Sequence, residues 1–333
     1  MNQLRWDPTL REWTAYATHR QDRTFLPPPE YCPLCPTKPG GFPTEVPRAS
    51  YDIVVFENKF PSFIPEAPEP DEPGTVLTPT APGQGVCEVV VYSDEHEETL
   101  AGLPEKRIRK LVEVWADRYG ELGALEYVKY VFVFENKGEA IGVTLHHPHG
   151  QVYGYPFVPP RPERELKAAR DYHEEHGGCL HCDVLTQEHA DGRRVLHKGE
   201  HFTAFVPFYA RYPYEVHVYA RRCVPSMAEL TGAEKEDLAR TLKRLLMGYD
   251  ALFGFSLPYV MAMHQAPTDS GDYGSLAHFH IEFYPPNRTA EKLKYLAGSE
   301  QGAGAFIVDA LPEETAGWLR EAIEGGMNNA GDG

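Results

Sequence analysis

The chain has 333 residues and carries 32 Lys plus Arg against 49 Asp plus Glu, a formal net charge of −17. That field argues against nonspecific binding to nucleic acid or to an anionic membrane, and an anionic substrate would need a local cluster of donors. Hydrophobic content of 42% and charged content of 24% fit a globular protein of about two domain-sized units. The opening Met1-Asn2-Gln3-Leu4-Arg5-Trp6 lacks the apolar core of a secretory signal, and no apolar run approaches a membrane span. The cytoplasm is the expected compartment. In it, cysteines set in two C-x-x-C pairs point to metal or redox chemistry rather than to disulfides.

Residues 1–50 are rich in Pro, Arg and aromatics and read as loop with short strands. Arg20 and Arg23 precede the knuckle Cys32-Pro33-Leu34-Cys35. Loop arginines are commonly just solvated, but this nearness makes them candidate phosphate or sugar contacts. A strand is predicted over 52–56, a Pro-rich loop over 61–84, and a β-branched strand over 85–92 that leads to His96. Cys87, mid-strand, reads as a small core residue. Pro104 opens a helix whose apolar stripe is Ile108, Leu111, Val112, Trp115 and Tyr119. A further strand over 130–134 runs into Glu135-Asn136-Lys137-Gly138 and then Thr144-Leu145-His146-His147-Pro148-His149-Gly150-Gln151.

The second half repeats this order. Cys179-Leu180-His181-Cys182 is a second knuckle, strands are predicted over 201–206 and 214–220, and the latter leads to Cys223. Leu230, Leu238, Leu242 and Leu246 follow Cys223 by 7, 15, 19 and 23 residues, as Leu103, Leu111, Trp115 and Tyr119 follow His96. Thr231 and Glu234 form a capping box. A strand over 259–263 precedes His278-Phe279-His280-Ile281-Glu282, which echoes His147, His149 and Gln151 in spacing. The match predicts a duplicated α+β unit of antiparallel sheets with packed helices, split at 1–160 and 161–333. The charged, Pro-rich 159–176 reads as the linker, and the Gly/Asn-rich 325–333 as a frayed tail.

The histidine stretch carries the chemistry. Pro148 biases His147 toward extended backbone, which lets His147, His149 and Gln151 share a face, and Gly150 would let a ligand approach the main chain. Cys32, Cys35, His96 and His147 supply the four N and S donors of a tetrahedral zinc. A redox C-x-x-C is the other reading, but Pro33 and its loop fit a thioredoxin-like helix start poorly. Cys179, Cys182, Cys223 and His278 hold the corresponding places, so a second zinc is open, as is an ordinary buried thiol at Cys223. With His147 a ligand, His149 remains as a nucleophile toward phosphorus, its tautomer set by a backbone carbonyl, and Gln151 can donate to phosphate oxygens.

Together these residues resemble the galactose-1-phosphate uridylyltransferases of the histidine-triad superfamily. The likeness runs from about Arg20 to about Glu314. It rests on Cys32-Pro33-Leu34-Cys35, Phe56-Glu57-Asn58, His96, Phe134-Glu135-Asn136-Lys137-Gly138, His147-Pro148-His149-Gly150-Gln151, Phe283-Tyr284-Pro285-Pro286 and Lys294-Tyr295-Leu296-Ala297-Gly298-Ser299-Glu300. The resemblance implies two histidine-triad-like halves and a ping-pong exchange. His149 would take the uridylyl group of UDP-glucose, release glucose 1-phosphate, and pass the group to galactose 1-phosphate to give UDP-galactose. It implies that Gln151 holds the α-phosphate. Leu34, Phe56, Asn58, Val89 and Asn136 would line the uridine and ribose site. Thr144, Arg20 and Arg23 would lie near the phosphates. Lys294 and Glu300 would sit in a sugar-binding segment that reaches across a homodimer interface.

Some members bind a second metal through one Glu and three His, where this chain has Glu165, His264, His280 and Glu282. Others, including ADP-sugar phosphorylases, have a second C-x-x-C zinc, and the cysteine site is the expected one here. Lys59 stands where some members have Asp beside the ribose. An ADP-sugar phosphorylase or adenylyltransferase with the same His149 chemistry is the nearest alternative. A zinc-stabilised nucleotide-binding protein without turnover is the other, although binding alone would need no nucleophile.

Overall fold

The computed structural model describes residues 2–22 and 31–331; Arg23 lies outside the described residues. In chain order the strands and α-helices are β1 (Asn2–Asp7), β2 (Glu12–Ala17), β3 (Val54–Glu57), β4 (Thr80–Pro82), β5 (Val86–Val91), α1 (Glu105–Gly123), β6 (Tyr130–Lys137), β7 (His149–Tyr155), α2 (Pro160–His176), α3 (Leu180–Asp191), β8 (Val195–Lys198), β9 (Phe202–Phe205), β10 (Val216–Ala220), α4 (Gly232–Phe253), β11 (Tyr259–His264), β12 (His280–Tyr284) and α5 (Pro312–Gly331).

Nine strands form one sheet in the order β3-β5-β7-β6-β11-β12-β10-β9-β8, and each neighbouring pair is antiparallel. Outward from the β6/β11 junction the order is β6, β7, β5, β3 on one side and β11, β12, β10, β9 on the other. The architecture is therefore α+β with a near-mirrored strand order, as the repeated motifs predict. β2, β1 and β4 make a separate three-stranded antiparallel sheet.

One face of the large sheet is covered by α1 and α4. The apolar stripe of α1 is buried at Ile108, Leu111, Val112, Trp115 and Tyr119, and that of α4 at Leu238, Leu242, Leu245, Leu246 and Tyr249. They join Val90, Val131, Val133, Val152, Val216, Val218 and Phe283 in one core, each large side chain worth about 1.5–3 kcal/mol of burial. The Thr231–Glu234 capping box is formed as predicted.

Two expectations are corrected. The 159–176 linker is the helix α2: Pro160 and Pro162 sit in its first turn, where no N–H partner is needed, and Gly177 at φ 71° ends it. Of the predicted 325–333 tail, residues 325–331 are the last turns of α5, which lies on α4, and 332–333 lie outside the described residues. At Gly248 of α4 a Cβ would stand 2.3 Å from Ile323 Cγ1, so only glycine admits this contact.

Candidate functional site

The first knuckle closes on His147. Its ring is fully buried, and Nε2 lies 2.7 Å from the Ser93 carbonyl and 3.0 Å from the Tyr51 hydroxyl. The carbonyl can only accept, so Nε2 carries the hydrogen and the lone pair is on Nδ1. Nδ1 faces Cys35 Sγ at 3.5 Å, and His96 Nδ1 faces the same sulfur at 3.4 Å. Burial holds the His147 imidazole down at about 4, which keeps it neutral at pH 7 as ligation requires. The donor atoms of Cys32, Cys35, His96 and His147 lie within 4.8 Å of one another, and two cysteine sulfurs with two imidazole nitrogens fit zinc. Tyr51, which also donates to the Leu34 carbonyl, ties this group to the knuckle and carries no motif that would have marked it.

His149 begins β7 on the sheet face away from α1. Its Nδ1 donates to the His147 carbonyl at 2.8 Å, which puts the ring's lone pair on Nε2. Three cavities are lined by His149, and two of them by Gln151 as well. Of these two, one of about 270 Å³ is lined by Leu34, Phe56, Asn58, Val89, Thr144, His149 and Gln151, with Glu45 and Lys59 paired at 3.0 Å. The other, about 180 Å³, is lined by Arg20, Asn136, Thr144, His149 and Gln151. Gln151 Oε1 accepts from Asn58 Nδ2 and from the Tyr153 hydroxyl, each at 3.2 Å. Its amide nitrogen is thereby left as a donor beside His149. Arg20 is held by the Phe60 carbonyl and Ser62 Oγ at 3.1 and 2.8 Å. The apolar cavity suits a base and the second suits phosphate. One expectation changes: no ligand needs the space at Gly150, because the Tyr92 hydroxyl already stands 2.1 Å from where a Cβ would be.

The second knuckle repeats the first. His278 Nε2 donates to the Ala220 carbonyl at 2.8 Å, and Nδ1 lies 3.5 and 3.6 Å from the sulfurs of Cys179 and Cys182. Cys223 completes the set and is exposed, so it is not a buried core thiol. The donors fit a second zinc. Glu165, His264, His280 and Glu282 also gather within 4.8 Å. This third set fits a cation less well. Glu282 already takes bonds from Arg161 and Tyr284, its Oε1 lies 3.2 Å from His217 Nε2, and His264 Nδ1 bonds Glu165 at 2.6 Å. A guanidinium supplies the positive charge there.

Comparison with known proteins agrees with this geometry. The family model for the galactose-1-phosphate uridyl transferase N-terminal domain matches residues 1–159, and that for the C-terminal domain matches 165–322. A galactose-1-phosphate uridylyltransferase of Thermotoga maritima is 43% identical over 96% of this chain and 98% of its own. The chain belongs to the galactose-1-phosphate uridylyltransferase family. It is an enzyme of the nucleotidyltransferase class. The Streptomyces lividans uridylyltransferase is 36% identical over 97% of this chain and 88% of its own. A solved uridylyltransferase superposes with a TM-score of 0.87 at 35% identity, covering 98% and 99% of the two chains. An ADP-glucose phosphorylase from Arabidopsis thaliana reaches 0.72 at 23% identity over 96% and 98%, which shows a shared fold alone.

Within this uridylyltransferase chain the structure brings Leu34, Phe56, Asn58, Val89, Asn136, Thr144 and Arg20 to His149. It does not bring Lys294 or Glu300 to the linings of those two cavities. Lys294 is buried, bonded to Glu300 Oε1 at 3.1 Å and to the Ile307 carbonyl. Beside this pair Tyr295, Leu296, Phe306 and Ile307 are exposed.

Proposed function

We propose that this chain transfers the uridylyl group of UDP-glucose to galactose 1-phosphate by a ping-pong exchange through His149. The observation that carries this is the bond from His149 Nδ1 to the His147 carbonyl, which puts the lone pair on Nε2 of a ring that lines both a nucleoside-sized and a phosphate-sized cavity. Nε2 forms a bond to the α-phosphorus as the bond to the glucose 1-phosphate oxygen breaks, and glucose 1-phosphate leaves. A phosphate oxygen of galactose 1-phosphate then attacks the same phosphorus, and the imidazole leaves with its lone pair restored. The Gln151 amide and Arg20 donate to the non-bridging oxygens as charge builds on them. Leu34, Phe56, Val89 and Asn58 hold the uridine, and Asn136 and Thr144 lie on the sugar-phosphate side.

Cys32, Cys35, His96 and His147 would hold one zinc and Cys179, Cys182, Cys223 and His278 a second. Each would stiffen the backbone of its H-x-H and take no part in bond making. The exposed apolar segment around Lys294 and Glu300 supports a homodimer in which a second copy brings this segment to the sugar site. Two halves, 1–160 and 161–333, carry the two knuckles. Among the described residues no helix is long and apolar enough to cross a membrane. The proposed enzyme is cytoplasmic, and its net charge of −17 works against nucleic-acid and anionic-membrane partners.

Mixing the protein with UDP-glucose alone tests the central step. The expected result is one equivalent of glucose 1-phosphate per site and a protein mass increase of one uridylyl group, lost on adding galactose 1-phosphate. An adduct formed from ADP-glucose but not from UDP-glucose would move the chain to adenylyl transfer.

A further inference from the structure

Behind His149, on the opposite face of the sheet, lies a buried polar strap that the reaction above does not use. Register places Val90 opposite Gly150, Val133 opposite Val152 and Met261 opposite Glu135. Opposed residues share a face, so Gly150 and Glu135 face the helices while His149 and Gln151 face the cavities. Glu135 is 4% exposed in this apolar core. The fully buried Tyr92 and Tyr259 each donate a hydroxyl hydrogen to it, to Oε2 and Oε1 respectively, at 3.2 Å. Lys137 is the nearest cation, bonded to Asp250 at 2.9 Å and lying over the Tyr259 ring. The strap therefore runs beneath four neighbouring strands, from the end of β5 under β7 to β6 and β11.

Tyr92 touches the chain on both sides of His149, at Pro148 and at Gly150 of β7. Its main-chain N–H donates to the Pro148 carbonyl at 3.0 Å, and its hydroxyl fills the space left by the absent side chain of Gly150. A buried carboxyl between two phenols costs desolvation that apolar packing would avoid, so stability alone does not account for its place there.

We propose that Glu135 is a positioning residue for uridylyl transfer, fixing through Tyr92 the main chain on either side of His149 and so the direction of its Nε2. This rests on His149 being the nucleophile. Burial pushes the Glu135 carboxyl up to about 7; its protonated form accepts from one phenol and donates to the oxygen of the other, and a glutamine, with NH2 in place of the OH, keeps the shape and both contacts in that arrangement.

The test compares Glu135→Leu, Tyr92→Phe and Glu135→Gln by the rate of adduct formation from UDP-glucose, the KM for UDP-glucose and the thermal midpoint. All are measured at a temperature where each variant is folded. Misdirecting the nucleophile should slow adduct formation by roughly tenfold or more in the leucine and phenylalanine variants, with KM within about twofold of wild type. Glu135→Gln should recover the rate to within about threefold of wild type. Wild-type rates in Tyr92→Phe, or a loss expressed in KM or thermal midpoint alone, would overturn the proposal. Should the leucine variant not fold, Tyr92→Phe, which keeps the ring in place, still decides. A wild type that forms no adduct fails the His149 reading itself, and the positioning role with it.

Discussion

The two halves build the same device and use it differently. In each, the first histidine of H-x-H turns Nε2 to a carbonyl, Ser93 for His147 and Ala220 for His278, and Nδ1 to the knuckle sulfurs. In each, the second histidine bonds the first one's carbonyl through Nδ1, at 2.8 Å for His149 and 2.7 Å for His280. The third position separates them. Gln151 offers an amide nitrogen to an open cavity. Glu282 is a buried carboxylate closed over by Arg161 from α2 and by His217. A phosphate brought to Glu282 would meet like charge, whereas one brought to Gln151 would meet a donor. On the proposed reading, the same scaffolding thus serves a reaction site in one half and a structural ion cluster in the other, decided by one side chain and the helix that covers it.

His149→Ala against His280→Ala is the sharpest way to break that comparison. The first should cut adduct formation by at least about a thousandfold with the fold unchanged. The second should leave the adduct and cost about 2–3 kcal/mol of stability through the cavity it opens. Adduct mass spectrometry beside thermal unfolding reads both, and loss of the adduct in His280→Ala would mean that the halves do not divide the work.

Gln151→Glu makes the first half chemically like the second. Replacing a donor by an anion at the phosphate should slow transfer by about a hundredfold to a thousandfold. The reverse change, Glu282→Gln, should leave transfer intact but strip Arg161 of the more buried of its two carboxylate partners, leaving Glu165, at about 3 kcal/mol in denaturant melts. Equal effects of the two changes on turnover would sink the distinction.

What the sequence revealed follows the same divide. The β-branched run of β5, the stripes of α1 and α4 and the paired H-x-H motifs are local patterns, and each is found where its period places it. α2 was not legible because 17 residues bury only Pro162 and Ala169. Its role is to carry Arg161 and Glu165 to the second H-x-H, and the signal available was prolines at the start with glycine at the end. Tyr92, Glu135 and Tyr259 lie 43 and 124 residues apart along the chain. No motif spans such distances. Only strand order brings them under Gly150, whose own place in a phosphate-binding motif suggested a different reason for the glycine.

The knuckles can be compared by Cys32→Ser. If the first zinc is structural, this change should lower the thermal midpoint by about 10 °C and release one of two zinc ions per chain on metal analysis. A stable variant that keeps its metal but loses activity would place that metal in the chemistry instead.

The smallest effect concerns the two long helices over which the halves are built. α1 starts at Pro104 with no side-chain cap, while α4 has its capping box, in which Thr231 Oγ1 accepts from the Glu234 N–H and Glu234 returns a bond to the Thr231 N–H. Thr231→Ala should cost about 1 kcal/mol. The box also carries a pH signature, because Arg222 first, and Thr231 after it, hold the Glu234 carboxyl at about 2. A depressed carboxylate contributes stability that is present above its unfolded value near 4.5 and is lost as pH falls toward 2. The wild type should therefore lose part of its stability between those values, and Arg222→Gln should lose less there. Unfolding curves for the two proteins at pH 6 and at about pH 3 would show whether the gap between them closes with acid, as it must if this carboxylate is held by Arg222.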